Sequence, residues 1–333
     1  MTRPALQPLE SLQFEADELM KQHPPRVRSN KKIVFAIACP RGSAHQGRIA
    51  YSRWPSMSLD PKADLSGAGR HVVGRPGFYD YALESDLQGA VEWHVNFADP
   101  RLFGAYDSAL FAQDEMQVAE HPTLGALREA LLDRAVPAVT VERGKPTPVL
   151  ISGVERRCSV ATEPDASQAR PVGLYGNKFD FAAPDAIERA TRRIDPPTIT
   201  NLIAIAAPAG GQGRYTAGDV VFVLVTAYSG FRVALHESRR IGGADRPVVV
   251  HTGYWGCGAF GGNRVLMAML QMIAADMAKV DRLVVHTGAD GAHTLATARE
   301  TLARVLEGPD DTLRERIEQI VSLSFEWGEG DGN

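Results

Sequence analysis

Cysteine is scarce in this chain: three occur in 333 residues, Cys39, Cys158 and Cys257, far apart and with no CxxC pair. That excludes a disulfide framework and the common zinc modules, and it fits a reducing compartment. No run of about 20 apolar residues marks a membrane span. The opening residues, MTRPALQPLESLQFEADELM, lack the apolar stretch of a secretory signal. The expectation is a cytoplasmic protein with no membrane partner. Charge is nearly balanced, with 36 basic against 40 acidic residues and a net −4, so there is no general attraction to nucleic acid or anionic lipid. The nine histidines form no HExxH or similar pairing, so neither a metal nor a cofactor is expected. A GxSxG nucleophile elbow and a Gly-Lys-Ser/Thr phosphate loop are both absent.

What the chain does have, from residue 89 onward, is an alternation of strand-like and helix-like runs. Strands are expected at 90–98 (AVEWHVNFA), 135–142, 148–154, 201–208, 246–253 and 282–288. Helices are expected at 123–132, with Thr123 as N-cap, along the apolar segment Asn263 to Ala278, and at 311–323. Such alternation argues for an α/β layered domain. Upstream, Leu9, Leu12, Ala16, Leu19 and Met20 predict a short helix, and KKIVFAIAC at 31–39 predicts a strand. The rest of 1–88 is rich in Pro, Gly, Ser and Arg and reads as an N-terminal extension, with PPRVRSNKK (24–32) as a solvated linker. The last residues, GEGDGN, read as a disordered tail over 326–333.

The segment 248–262, VVVHTGYWGCGAFGG, carries the chemistry. An apolar strand runs into Gly256 to Gly262, four of whose seven residues are glycine, and an apolar helix follows. Glycines let backbone N–H groups approach an anion, and the helix N-terminus adds partial positive charge, so the loop suits a phosphate. A dinucleotide fold would need an acidic residue at the end of the next strand. That strand ends in His286-Thr287-Gly288, and only 43 residues follow Asp290.

HTGYWGCGAFGGN (251–263) closely resembles the poly(ADP-ribose) glycohydrolase signature, in which this loop cradles the ADP-ribose diphosphate. The resemblance implies that Trp255, Gly256, Cys257, Gly258, Ala259, Phe260, Gly261 and Gly262 contact such a ligand. It also implies a second motif upstream, and WHVNFADPRLFGAYDSALFAQDEMQ (93–117) supplies one. Gln113-Asp114-Glu115 stands sixteen positions after Phe97, where the family places Gln-Glu-Glu. On that pattern Glu115 is the general acid and later activates water. Asp114 helps to hold the ribose, and Gln113, Asn96, Phe97, Asp99, Gly104 and Glu155 line the substrate site. Cleaving a ribosyl bond needs a proton at the leaving atom, and a carboxyl whose pKa is raised by burial or a neighbouring charge supplies it best. TAYSGF (226–231) echoes a family helix, so GDVVFVLVTAYSGF (218–231) is expected to be helical despite its β-branched residues. The resemblance covers roughly 89–290 and implies a macrodomain-like mixed sheet flanked by helices, spanning 89–325.

This chain departs from the pattern near the site. The family's Gly-Gly-Gly turn falls on Phe103-Gly104-Ala105, whose side chains are expected to crowd a ribose. Asp99 replaces an asparagine. The tyrosines that help to hold adenosine are missing after Glu155, and Tyr175 or Phe179 could replace them, although a core aromatic is the commoner case. His251 and His286 could face one cleft, although satisfied histidines are commoner at strand ends. Two functions follow. One is a divergent glycohydrolase removing ADP-ribose from protein, nucleic acid or a small molecule. The other is a catalytically inactive ADP-ribose reader or partner-binding module on the same scaffold. Nucleic acid is a partner only if it is the modified substrate, and the sequence does not fix an oligomeric state.

Overall fold

The computed structural model describes residues 6–28, 30–243, 245–289, 291–307 and 312–332. Ten strands are described: β1 (Glu10–Glu15), β2 (Arg48–Arg53), β3 (Val72–Arg75), β4 (Val91–Ala98), β5 (Val141–Glu142), β6 (Lys145–Pro146), β7 (Val149–Val160), β8 (Thr191–Ala206), β9 (Val248–Thr252) and β10 (Arg282–His286). All but the β5–β6 pair join one mixed sheet in the order β1-β2-β7-β8-β4-β9-β10-β3. From β8 to β3 its members are parallel, and β1, β2 and β7 add an antiparallel flank.

The helices are α1 (Ala16–Gln22), α2 (Lys31–Ala38), α3 (Gln113–Glu120), α4 (Thr123–Asp133), α5 (Pro184–Ala190), α6 (Ala217–Gly242), α7 (Arg264–Ala278), α8 (Ala292–Leu306) and α9 (Leu313–Ser322). They form two layers, each closing an apolar core on one face of the sheet. One core joins residues of α1 to α5, such as Phe35, Val118 and Leu127, to the strands; the other joins residues of α6 to α9, such as Phe231, Met269 and Ile320. This is the α/β layered fold expected, with strands buried on both faces reading as near-continuous apolar runs in β9, β10 and Leu202 to Ala206 of β8.

Residues 218–231 lie within α6, as expected. Val223, Leu224, Ala227 and Phe231 recur at helical spacing and are wholly buried, so packing overrides β propensity. At 26 residues α6 is long and apolar enough to cross a membrane, yet most of its apolar window is buried against the sheet and α7. Helices α4, α7 and α9 and strands β4, β7, β8, β9 and β10 fall where the pattern put them. Three local expectations are corrected there. Thr123 is the first helical residue with Pro122 as cap, β7 and β8 run longer than expected, and 135–142 contributes only the two residues of β5.

Residues 10–75 contribute β1, β2 and β3 to the same sheet. Residues 9–20, expected as one helix, are β1 followed by α1, because the Leu12 and Phe14 alternation pairs antiparallel with β2. KKIVFAIAC, expected as a strand, is α2, which buries Lys31, Val34, Phe35 and Ala38 on one face. The solvated-linker reading of 24–32 also fails. Arg26 pairs with Glu129 at 2.8 Å, and Lys31 is 1% exposed; Ser29 lies outside the described residues. The tail, expected to be disordered, is placed through Gly332 and lies against the glycine loop; Asn333 is outside the described residues.

Candidate active site

Parallel strands β8, β4, β9 and β10 end along one edge of the sheet, and loops leaving such an edge form the natural ligand crevice of α/β folds. Both sequence motifs leave from it. The end of β4 grips the start of α3: Gln113 Oε1 accepts from the Phe97 N–H at 2.8 Å, and Gln113 Nε2 donates to the Val95 carbonyl at 3.2 Å. Asn96, wholly buried, donates through Nδ2 to Asp114 Oδ1 at 2.9 Å, while its own Oδ1 has no partner among the described residues. These bonds fix Asp114 and Glu115 against the strand.

Both carboxyls are almost inaccessible, at 5% and 3% exposure. Burial, then the Glu115 charge, hold the Asp114 carboxyl well above its ordinary range. Burial raises Glu115 as well, and the Lys31 ammonium is the largest influence opposing it. One Glu115 oxygen accepts from the Ala112 N–H at 3.1 Å, capping α3. The acidic helix start is therefore both a cap and a buried acid pair.

Lys31 carried no signal in the sequence. Helix α2 packs on α3 and delivers its ammonium beneath the turn after β4, where it donates to the carbonyls of Tyr106 at 2.8 Å and Ala105 at 3.3 Å. Burial pulls this ammonium down to about 8, against the opposing charges of Glu115 and Asp114.

The turn at 103–105 does not crowd the crevice as expected. Phe103 takes the left-handed φ of +53° that glycine adopts freely, and its ring is wholly buried in the core beside α4. Gly104 is needed for closeness, since a Cβ there would stand 3.0 Å from the Arg101 carbonyl oxygen. Asp99 faces outward and caps the Arg101 N–H at 2.9 Å.

The glycine loop leaves β9 beside this acid pair. A Cβ on Gly253 would lie 3.2 Å from the Phe97 ring, which joins the two motifs. Gly256 and Gly261 have φ of +75° and +63°, and the loop closes on itself through Gly262 N–H to the Gly256 carbonyl (2.9 Å) and Gly261 N–H to the Gly258 carbonyl (3.0 Å). Among the described residues, no backbone carbonyl accepts from the N–H groups of Gly258, Ala259 or Phe260. Asn263 caps α7 by accepting from Val265 and Leu266. Thr252 and Gln271 bond at 2.6 Å, and Gln271 also holds the Gly253 carbonyl at 3.1 Å, which ties loop to helix.

Not every residue expected at the ligand lines the crevice. Trp255 is core: 1% exposed, it donates from Nε1 to the Ile205 carbonyl at 3.0 Å and anchors the loop from beneath. Glu155 pairs with Ile199 in the sheet, seven residues before the end of β8, roughly 20 Å from the crevice edge at about 3.3 Å per residue. There it holds Arg157, His45 and the Gln46 N–H, so the structure does not bring it to the site. Burial pushes the Cys257 thiol up to about 12, which leaves no thiolate for nucleophilic work at neutral pH. His251 and His286 are satisfied core histidines: they bond each other at 3.2 Å, Glu92 holds His251, and the Phe78 carbonyl holds His286.

Tyr175 does reach the site. Burial, then the Asp331 carboxylate, push its hydroxyl up to about 12, with the Gln113 backbone opposing the rise and the Glu115 charge adding to it. Phe179 stacks on Phe111 at 3.9 Å and is plain core.

Residues 164–294 match the family model for poly(ADP-ribose) glycohydrolase (PARG), macro domain fold. That range contains the glycine loop; Asn96 to Glu115 lie outside it in sequence and beside the loop in space. No curated protein matches the chain in sequence. Among solved structures, the chain is similar to the poly(ADP-ribose) glycohydrolase of Thermomonospora curvata at 16% identity, over 88% of this chain and 85% of that one, with a TM-score of 0.40. It is also similar to the Deinococcus radiodurans poly(ADP-ribose) glycohydrolase solved with ADP-ribose, at 15% identity over 92% and 99% of the chains, TM-score 0.40. By the family match and the loop inside it, residues 164–294 are similar to the macro domain of the poly(ADP-ribose) glycohydrolase family.

Proposed function

We propose that this chain is an ADP-ribosyl glycohydrolase, cleaving the O- or N-ribosyl bond that joins ADP-ribose to a protein, nucleic acid or small molecule. The observation that carries the reading is the buried Asp114–Glu115 pair, held by β4 beside a glycine loop in which, among the described residues, the Gly258, Ala259 and Phe260 amides meet no backbone carbonyl. The loop receives the diphosphate, which draws the distal ribose over the start of α3. A ribose hydroxyl supplies the donor that Asn96 Oδ1 lacks.

Glu115, whose carboxyl burial holds above its ordinary range, gives its proton to the leaving oxygen or nitrogen as that atom's bond to the anomeric carbon breaks. The bonding pair leaves with the protonated group, and an oxocarbenium-like ribosyl cation develops. Water adds to the anomeric carbon, and its proton returns to the Glu115 carboxylate. Asp114 lies against that charge and orients the ribose. Lys31 holds the turn below Glu115 and limits how far its pKa climbs.

One observation favours the reader alternative, which is that a Glu115 oxygen is already engaged as a helix cap. The test is release of free ADP-ribose from a panel of mono- and poly-ADP-ribosylated proteins and nucleic acids. Hydrolysis of any member supports the enzyme; tight ADP-ribose binding with no release from any member supports the reader.

A further inference from the structure

The glycine cradle already holds something: residues 328–332 of its own chain. After α9 the chain is anchored by stacking of Trp327 on Tyr215, ring centroids 4.0 Å apart, by the Trp327 N–H on the Gly213 carbonyl (2.8 Å), and by the Phe325 carbonyl on the Tyr215 N–H (2.9 Å). Beyond that anchor, Gly328 to Gly332 run across the loop. The Gly328 N–H donates to the Gly261 carbonyl at 2.7 Å, and the Asp331 N–H to the Gly258 carbonyl at 3.4 Å. The approach is close enough to need glycine on both sides. A Cβ on Gly261 would stand 2.5 Å from the Gly328 oxygen, and one on Gly330 would stand 2.5 Å from the Ala259 oxygen. The Asp331 carboxylate lies over Gly258, with Oδ2 3.0 Å from where a Cβ would be, and Asn177 holds the Gly332 carbonyl from the far side at 2.5 Å.

This segment has a negative side chain on a loop whose geometry suits anions, and it carries no apolar side chain to hold it there. Residues 328–332 are exposed on their outer side. We infer that Gly328–Gly332 is an autoinhibitory strap, an internal stand-in for the diphosphate that ADP-ribose must displace in order to bind. The inference rests on the ligand named under Proposed function, and it adds that the free site is closed by residues 328–332 of the same chain.

A cradle that is open only a fraction f of the time binds with its affinity reduced by f, so a strap closed for about 90–99% of the time weakens ADP-ribose about 10- to 100-fold. Two variants of the full protein release it by different routes. One deletes 329–333 and keeps the Trp327 anchor. The other is Gly330→Val, whose side chain cannot sit on the Ala259 carbonyl. Calorimetry with ADP-ribose and hydrogen exchange of peptides spanning 256–263 and 326–333 are measured on all three proteins. The expected result is tighter binding by about tenfold or more in both variants, faster exchange at 256–263 without ligand, and faster exchange of the wild-type tail when ADP-ribose is added. Unchanged affinity and unchanged loop exchange in both variants overturn the strap. So does a wild-type tail protected by ADP-ribose, since the segment would then be a lid closing over the ligand. If the loop exchanges faster in both variants while none of the three proteins binds ADP-ribose, the strap stands and the ligand assignment falls.

Discussion

Replacing Lys31 with methionine separates what the N-terminal helix does for the acid pair from what it does for the fold. The ammonium is 1% exposed and donates to the carbonyls of Tyr106 and Ala105 at 2.8 and 3.3 Å. Methionine has a similar length and volume but leaves both oxygens buried without that donor. Each lost bond of this kind costs about 1–3 kcal/mol, and relief from burying an ammonium offsets part of it, so a net loss of about 1–3 kcal/mol is expected. That lowers Tm by roughly 2–4 °C for each kcal/mol. The functional effect is separate. Lys31 is the largest influence holding the Glu115 carboxyl down against burial, so in its absence Glu115 keeps its proton to higher pH. The acid form is the active one, and activity falls as pH rises through the raised value. The alkaline limb of the pH profile for ADP-ribose release must therefore move to higher pH in Lys31→Met. The acid-side plateau should fall only as far as the turn at 103–106 loosens. An alkaline limb in the wild-type position, with activity reduced evenly at every pH, would refute the electrostatic reasoning and leave Lys31 a purely structural residue.

Two further substitutions probe the two halves of the site. In Gly262→Ala the new Cβ would stand 2.6 Å from the Gly256 carbonyl oxygen, which is backbone and cannot yield, so the loop ring opens; ADP-ribose affinity by calorimetry should fall about tenfold or more, with Tm changed little. Asp114→Asn keeps the Asn96 contact and removes a buried acid whose folded pKa lies above its ordinary range. Such a group stabilises the fold fully below its unfolded value, and the contribution is lost as pH rises through the folded value. The variant should thus lose less stability than wild type as pH rises above about 4, measured by urea unfolding, while release of ADP-ribose falls.

The two motifs were legible because each is local. A strand, a glycine turn and a helix occupy consecutive residues at 248–278, and the β4-to-α3 step is short enough for the spacing that the family resemblance supplied to pick out Gln113, which the structure sets against Phe97. The alternation that built the parallel half of the sheet was legible for the same reason. The first 88 residues misled because their partners are distant in sequence. KKIVFAIA has strand-like composition, yet Lys31, Val34, Phe35 and Ala38 follow the i, i+3, i+4, i+7 spacing of a helix that needs α3, α5 and β8 to cover it. Lys31 and the strap at 328–332 reach the site only through the tertiary fold, and no spacing rule within one segment announces them; Tyr175 and Phe179 were both offered by the sequence, and only the fold tells them apart. Glu155 shows the converse. A motif resemblance placed it at the ligand, whereas the register of β7 on β8 sets it at the far end of the sheet.

The central claim is that Glu115 donates the proton that frees ADP-ribose, and Glu115→Gln tests it most directly. Glutamine keeps the size and can still accept from the Ala112 N–H, so α3 should keep its cap. The account predicts that release of ADP-ribose falls by about 10²-fold or more, while ADP-ribose binding stays within a few-fold of wild type. Release at the wild-type rate from the same substrate would contradict it and move the acid elsewhere.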